Sequence, residues 1–243
     1  MIDWLVQSAS AHPCLARGVA PVGLLSPAEQ GRMAQFTFEK RRRDWLLGRW
    51  TAKRLLQGYA ERRTGVRPAS DAITIASAPD GAPRVVVEQP AGLREALAGL
   101  HVSISHCHGQ ALCAISSQAG APIGADIERV EPRDPGFAGD YFTESELAQI
   151  SAADPSARDM LVTLIWSAKE AALKALRLGL TVDTRSVAIE LGQPPHGPGL
   201  AWAPLVARAS LAPGEPPLLL HGWWRLVGEY VLTLALTQAP SAP

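Results

Sequence analysis

Of 243 residues, 47% are hydrophobic and 19% charged, which describes a globular chain long enough for one sizeable domain or two small ones. Lys plus Arg and Asp plus Glu number 23 each, and the zero net charge disfavours a dedicated nucleic-acid or anionic-membrane binder. Cys14, Cys107 and Cys113 form no CxxC pair and no stretch reads as a signal peptide or membrane span, so a soluble cytoplasmic protein is expected.

In chain order, Ser26 before Pro27 marks a capped helix over about 27–38. Trp45, Leu46, Trp50, Lys53, Leu56 and Tyr59 recur at helical spacing and predict a longer helix over about 42–63. The run ITIA, the turn pair Asp80-Gly81 and the VVV at 85–87 read as a hairpin within 72–88. A second strand pair is expected at 101–104 and 111–116, around a loop at 106–110. IGADIERV (123–130) opens the second half as a strand, and Thr143 with Glu146 has the capping-box pattern. A long helix follows over about 157–178, ended by Gly179. Strands are predicted at 186–191, 218–227 and 230–237, with a Pro/Gly-rich loop at 192–200 and a frayed tail from Ala239. WTAKRLL from Trp50 and WSAKEAA from Trp166 echo one another, a faint sign of duplication.

Asp126 and Glu128 are two apart on a predicted strand, so both carboxylates project from one face. They repel unless a cation sits between them, and a hard divalent ion with oxygen ligands would satisfy both. Taken alone, such a pair reads more readily as the solvated face of an edge strand; the apolar neighbours Ile123, Ala125, Ile127 and Val130 narrow that preference. On the long helix, Glu170 lies opposite the apolar stripe Leu161, Ile165, Ala168, Ala172 and Ala175, with Lys174 one turn later. Helical periodicity alone makes them an ordinary i, i+4 pair. A functional role requires their face to meet the Asp126/Glu128 strand. His106-Cys107-His108 lacks the partner motif of a zinc site, and an anion-binding His106 fits better. The run Lys40–Arg43, with Arg49 and Lys53 after it, can hold phosphate or form a solvated helix start.

Together these segments resemble the 4′-phosphopantetheinyl transferases of the larger, pseudo-dimeric type that serves peptide and polyketide synthases. RRRDWLLGRWTAKRLL, PDGAP, SISH, IGADIE, YFTESEL and WSAKEAALKAL resemble the family's motifs in their order, over roughly residues 26–180. The resemblance implies an α+β fold of two similar halves, 1–118 and 119–243, related by pseudo-two-fold symmetry with the active site between them. It implies transfer of the phosphopantetheine group of coenzyme A to a serine of an apo acyl or peptidyl carrier protein, by a monomer serving polyketide, nonribosomal peptide or fatty acid synthesis. Asp126, Glu128 and Glu170 would bind Mg²⁺, with Mn²⁺ as a substitute, and Glu170, Lys174 and Asp126 would be catalytic. Arg43, Arg49, Lys53, Ser105, His106 and Lys169 would bind coenzyme A. Where the family's turn often carries lysine, this chain has Ala82: either a 3′-phosphate contact is missing or Arg84 replaces it. That departure motivates the alternative of a catalytically inactive coenzyme A-binding module.

Overall fold

The structure, a computed structural model, describes residues 1–192, 202–212 and 214–238. The chain divides into two compact units, Met1–Gly120 and Ala121–Pro243. Most of the loop expected at 192–200 and the tail expected from Ala239 lie outside the described residues.

The first unit contains β1 (Ile2–Ser8), α1 (Pro13–Ala16), α2 (Pro27–Met33), α3 (Glu39–Thr64), β2 (Thr74–Ser77), β3 (Pro83–Val86), α4 (Ala91–Ala96), β4 (His101–Cys107) and β5 (Gln110–Ser116). An antiparallel sheet runs β1-β5-β4, and β2 pairs with β3 as a separate hairpin. Leu56, Tyr59 and Ala60 of α3 pack with Val102, Cys113 and Ile115 of the sheet. The helix stops at Gly65, whose φ of +74° suits a residue without a side chain. His108 and Gly109 both take positive φ, +46° and +73°, and form a two-residue hairpin turn. The loop expected at 106–110 is therefore only a turn, and His106 stands on β4.

The second unit contains β6 (Ile123–Arg129), α5 (Phe137–Tyr141), α6 (Glu144–Ala152), α7 (Arg158–Ala175), β7 (Val187–Leu191), β8 (Ala203–Ala209), β9 (Leu218–Val227) and β10 (Tyr230–Leu236). Its antiparallel sheet runs β6-β10-β9-β8-β7. Ile165, Ala168, Ala172 and Ala175 of α7 pack with Leu205, Ala207, Leu220 and Ala235 of the sheet. The helix ends earlier than expected. Arg177, not Gly179, takes the left-handed position after the cap (φ +60°), and Leu178 N–H donates to Leu173 O at 3.0 Å.

One close approach fixes α7. A Cβ on Gly124 would stand 1.7 Å from Ala171 O and 2.7 Å from Ala175 N, so the helix backbone rests directly on the strand backbone. The residues of α7 that share this side with Ala171 are Ser167, Glu170 and Lys174, at helical spacing.

Each unit also encloses one carboxylate–ammonium pair. Glu29 closes the capping box of α2 with Ser26, accepts from Ile75 N–H at 3.1 Å, and pairs with Lys53 inside the core. Glu146 closes the capping box of α6 with Thr143, accepts from Ile189 N–H at 2.8 Å, and pairs with Lys169 at 2.9 Å. Both lysines are fully buried, and each also donates to main-chain carbonyls: Lys53 to Leu24 O, Lys169 to Thr184 O and Val187 O. The echo between Trp50 and Trp166 thus extends to a shared internal framework.

Gly124→Ala should lower stability by about 3 kcal/mol or more, because backbone on both sides must shift. A denaturation midpoint equal to the parent's would show that α7 is not seated on this glycine. Lys169→Met should cost roughly 3–5 kcal/mol by leaving the buried Glu146 carboxylate without its counter-charge, and Lys53→Met should cost less, because Arg49 also faces Glu29 at 3.4 Å. Denaturant titration checks this, and losses below ~1 kcal/mol would contradict it.

Candidate active site

The stripe on α7 lies over the charged end of β6. Asp126 is almost fully buried, and its two oxygens are held from the helix: Ser167 Oγ donates to Oδ2 at 2.8 Å and Lys174 Nζ to Oδ1 at 2.6 Å. Lys174 also donates to Ala125 O at 3.3 Å. Glu128, two residues along the same face, accepts from Arg133 Nη2 at 2.9 Å. Burial, and then the charge of Asp126, push the Glu128 carboxyl above its usual range, against the pull of Arg133 and Lys174. Burial pushes Glu170 up as well; Lys174 opposes the shift while Asp126 and Glu128 add to it. The three carboxylates therefore feel one another across a partly desolvated space. Beside them Phe137, Tyr141 and Trp166 form an aromatic cluster, with Trp166 centroids 5.1 Å from Phe137 and 5.2 Å from Tyr141.

Among the described residues, no three His, Cys, Asp or Glu side chains are grouped so as to hold one metal ion. The expectation that Asp126, Glu128 and Glu170 share an ion is corrected to this extent: Lys174 and Ser167 engage Asp126, and Arg133 engages Glu128. The donor chemistry of the strand pair nonetheless fits Mg²⁺, which is commonly held by one or two carboxylates together with waters and substrate phosphates.

The first unit carries a cleft of about 610 Å³, within the range of small-molecule sites. It is lined by Arg32, Arg41 and Arg49, by the rings of Phe36 and Trp45, and by His106; Gly81 and Pro83 of the β2–β3 hairpin close one side. The guanidinium of Arg49 stacks 4.7 Å over Trp45 and lies 3.4 Å from Glu29, while Arg32 and Arg41 flank the Phe36 ring at 5.4 and 5.8 Å. Burial holds Arg49 below the usual arginine range, with Glu29 opposing it and Arg32 adding to it.

Of the residues expected here, Arg49 and His106 line the cleft and four others do not. Lys53 and Lys169 are corrected to core residues, because each ammonium is enclosed with a glutamate and carbonyl oxygens. Ser105 is buried on the face of β4 opposite His106, as strand alternation requires, and is not among the cleft's lining residues. Arg43 is exposed, lies 3.7 Å from Glu39, and lines a separate cavity with Lys40 and His108. Arg84 lines another cavity, with Arg94 and His101, and is not among the residues that line this cleft. Sequence reasoning named Arg41 only as part of the run Lys40–Arg43 and missed Arg32 as a cleft residue; stepping back from Arg49 by helical intervals through Trp45 singles out Arg41. Arg133 left no such signal, since its partner depends on the path of the loop after β6.

Comparison with known proteins gives the same direction. Residues 122–202 match the family model described as the 4′-phosphopantetheinyl transferase superfamily. The 4′-phosphopantetheinyl transferase Sfp of Bacillus subtilis (strain 168) is 32% identical over 93 residues, covering 38% of this chain and 40% of that protein. The 4′-phosphopantetheinyl transferase HetI of Nostoc sp. is 28% identical over 194 residues, covering 79% of this chain and 75% of that protein. A solved ACPS–CoA complex from Chronobacterium ammoniagenes covers 48% of this chain and 96% of its own, with 23% identity and a TM-score of 0.38. The chain spans less than half the length of the Bacillus relatives it matches. The order of its motifs and the match over 122–202 agree: over these residues the chain is similar to the 4′-phosphopantetheinyl transferase superfamily.

Proposed function

We propose that this chain transfers the 4′-phosphopantetheine group of coenzyme A to a serine of an apo acyl or peptidyl carrier protein and releases 3′,5′-ADP. The observation that carries this reading is the stripe Ser167, Glu170 and Lys174 lying over Asp126 and Glu128. The cleft of the first unit supports it: guanidinium groups suit a phosphorylated nucleotide, and the rings of Phe36 and Trp45 suit a planar base. Arg32 and Arg41 line that cleft beside the hairpin turn, so positive charge is present there despite Ala82. This weakens the alternative of an inactive binding module.

Asp126 and Glu128 would hold Mg²⁺, or Mn²⁺, which when bound would draw charge from the pyrophosphate and the departing phosphate. Ser167 fixes one Asp126 oxygen and thereby the direction of the other. Lys174 brings a positive charge to the same place, where negative charge grows as the phosphate bond breaks. Glu170 stands apart from the engaged pair and serves as the base. The carrier serine oxygen bonds to phosphorus, the bond to 3′,5′-ADP breaks, and the serine proton passes to the Glu170 carboxylate. A carboxyl raised by burial and by two neighbouring charges accepts that proton more readily than an ordinary one. Cys14, Cys107 and Cys113 form no disulfide among the described residues, which suits the reducing cytoplasm proposed for this chain.

Incubation with coenzyme A, Mg²⁺ and an apo carrier should add one phosphopantetheine to the carrier's mass, and Asp126→Asn should add none. An unchanged carrier mass with the parent protein, across acyl and peptidyl carriers, would sink the reading. The raised Glu170 group also sets a pH dependence. The carboxylate must be ionised to accept a proton, so kcat should fall as pH drops through a pKa above the usual carboxylate range. Glu170→Gln should remove that acid limb and lower kcat by about 10²–10⁴-fold. A full rate and an unaltered pH profile in that variant would assign the proton to another group.

A further inference from the structure

Arg133 belongs to the loop between β6 and α5, and its guanidinium occupies a particular place. It donates to Glu128 Oε2 at 2.9 Å, and its side chain is 23% exposed. Its other face lies 5.4 Å from the Phe137 ring centroid, and its Nε is buried without a hydrogen-bond partner among the described residues. Lys174 from a helix and Arg133 from a loop thus face three mutually repelling carboxylates. Lys174 is anchored by both Asp126 and the Ala125 carbonyl. Arg133 has one ionic contact, an aromatic face to rest on, and loop backbone on both sides. Its charge cannot be titrated away at any accessible pH.

We propose that Arg133 is a tethered competitor for the divalent cation at Glu128, a positioning residue that keeps cation affinity low until an anionic substrate draws the guanidinium away. The inference rests on the metal-dependent reading above. Arg133 and a divalent ion need the same carboxylate, and both charges beside it repel in a space that water screens poorly. Cation binding at Glu128 is therefore opposed while the guanidinium stays and favoured when it swings away along the Phe137 ring. A phosphate-bearing substrate offers the guanidinium a better partner, through two parallel N–H···O bonds, and this couples cation binding to substrate binding.

The test is Mn²⁺ binding to the full chain without coenzyme A or carrier, followed by electron paramagnetic resonance. Arg133→Met, which keeps the contact with Phe137 but removes the charge, should bind Mn²⁺ about tenfold more tightly than the parent. Arg133→Gln serves as a second charge-free variant should the first fold poorly, as judged by circular dichroism. Arg133→Lys should restore weak binding to within about threefold of the parent, and 0.5 M salt should shrink the gap between charged and neutral variants at about a 4 Å Debye length. Equal Mn²⁺ affinity in parent and charge-free variants, or a lysine variant that behaves like methionine, would overturn the role of Arg133 and leave the metal-dependent reading standing. No Mn²⁺ bound by any of them, with no carrier modified by the parent, would overturn both.

Discussion

The acidic site depends on the missing side chain of Gly124. Because nothing projects from that residue towards the helix, α7 rests its Ala171 turn on the backbone of β6. That contact sets the height and rotation of the helix together. It brings Ser167, Glu170 and Lys174 over the two carboxylates that alternate along the strand. A methyl group at Gly124 would lift the helix off the strand, disturbing both its packing and the 2.6 Å bond of Lys174 to Asp126. The site is thus specified by a backbone approach rather than by any of its charged residues.

The buried Glu–Lys pairs have a different task. Glu29 and Glu146 each bind the start of their own helix, a main-chain N–H of a strand, and an ammonium from the long helix, and Glu29 also faces Arg49. One carboxylate thereby ties three elements of its unit together. Desolvation depresses both lysines while the paired glutamates raise them, so the ion pair is held by surrounding hydrogen bonds as much as by charge. That the same device recurs in both units gives the short echo at Trp50 and Trp166 a structural counterpart.

Much of this was legible before any coordinates. The hairpin at Asp80-Gly81, the capping boxes at Ser26 and Thr143 and the strand carrying Asp126 and Glu128 all rest on local chemistry, and local chemistry prevailed. What the sequence concealed was decided elsewhere. β1 (IDWLVQS) shows no clean alternation because all seven of its residues are half-buried, and β8 reads as irregular because Pro204 interrupts it. Lys53 was expected to bind phosphate because it follows the basic run, and Lys169 because of the family resemblance; tertiary packing turns both inward. Arg43 and Arg49 seemed one basic patch by proximity in sequence, although six residues of helix put them on different faces.

The central claim is that Asp126 and Glu128 hold a divalent ion with Lys174 and Glu170 beside it. Anomalous diffraction from crystals grown with Mn²⁺ and coenzyme A tests it most directly. One manganese peak is predicted at about 2.1 Å from carboxylate oxygens of both Asp126 and Glu128, with Arg133 displaced from Glu128. A peak bound elsewhere on the chain, or no peak at the strand carboxylates at saturating manganese with Lys174, Ser167 and Arg133 still on them, would contradict it.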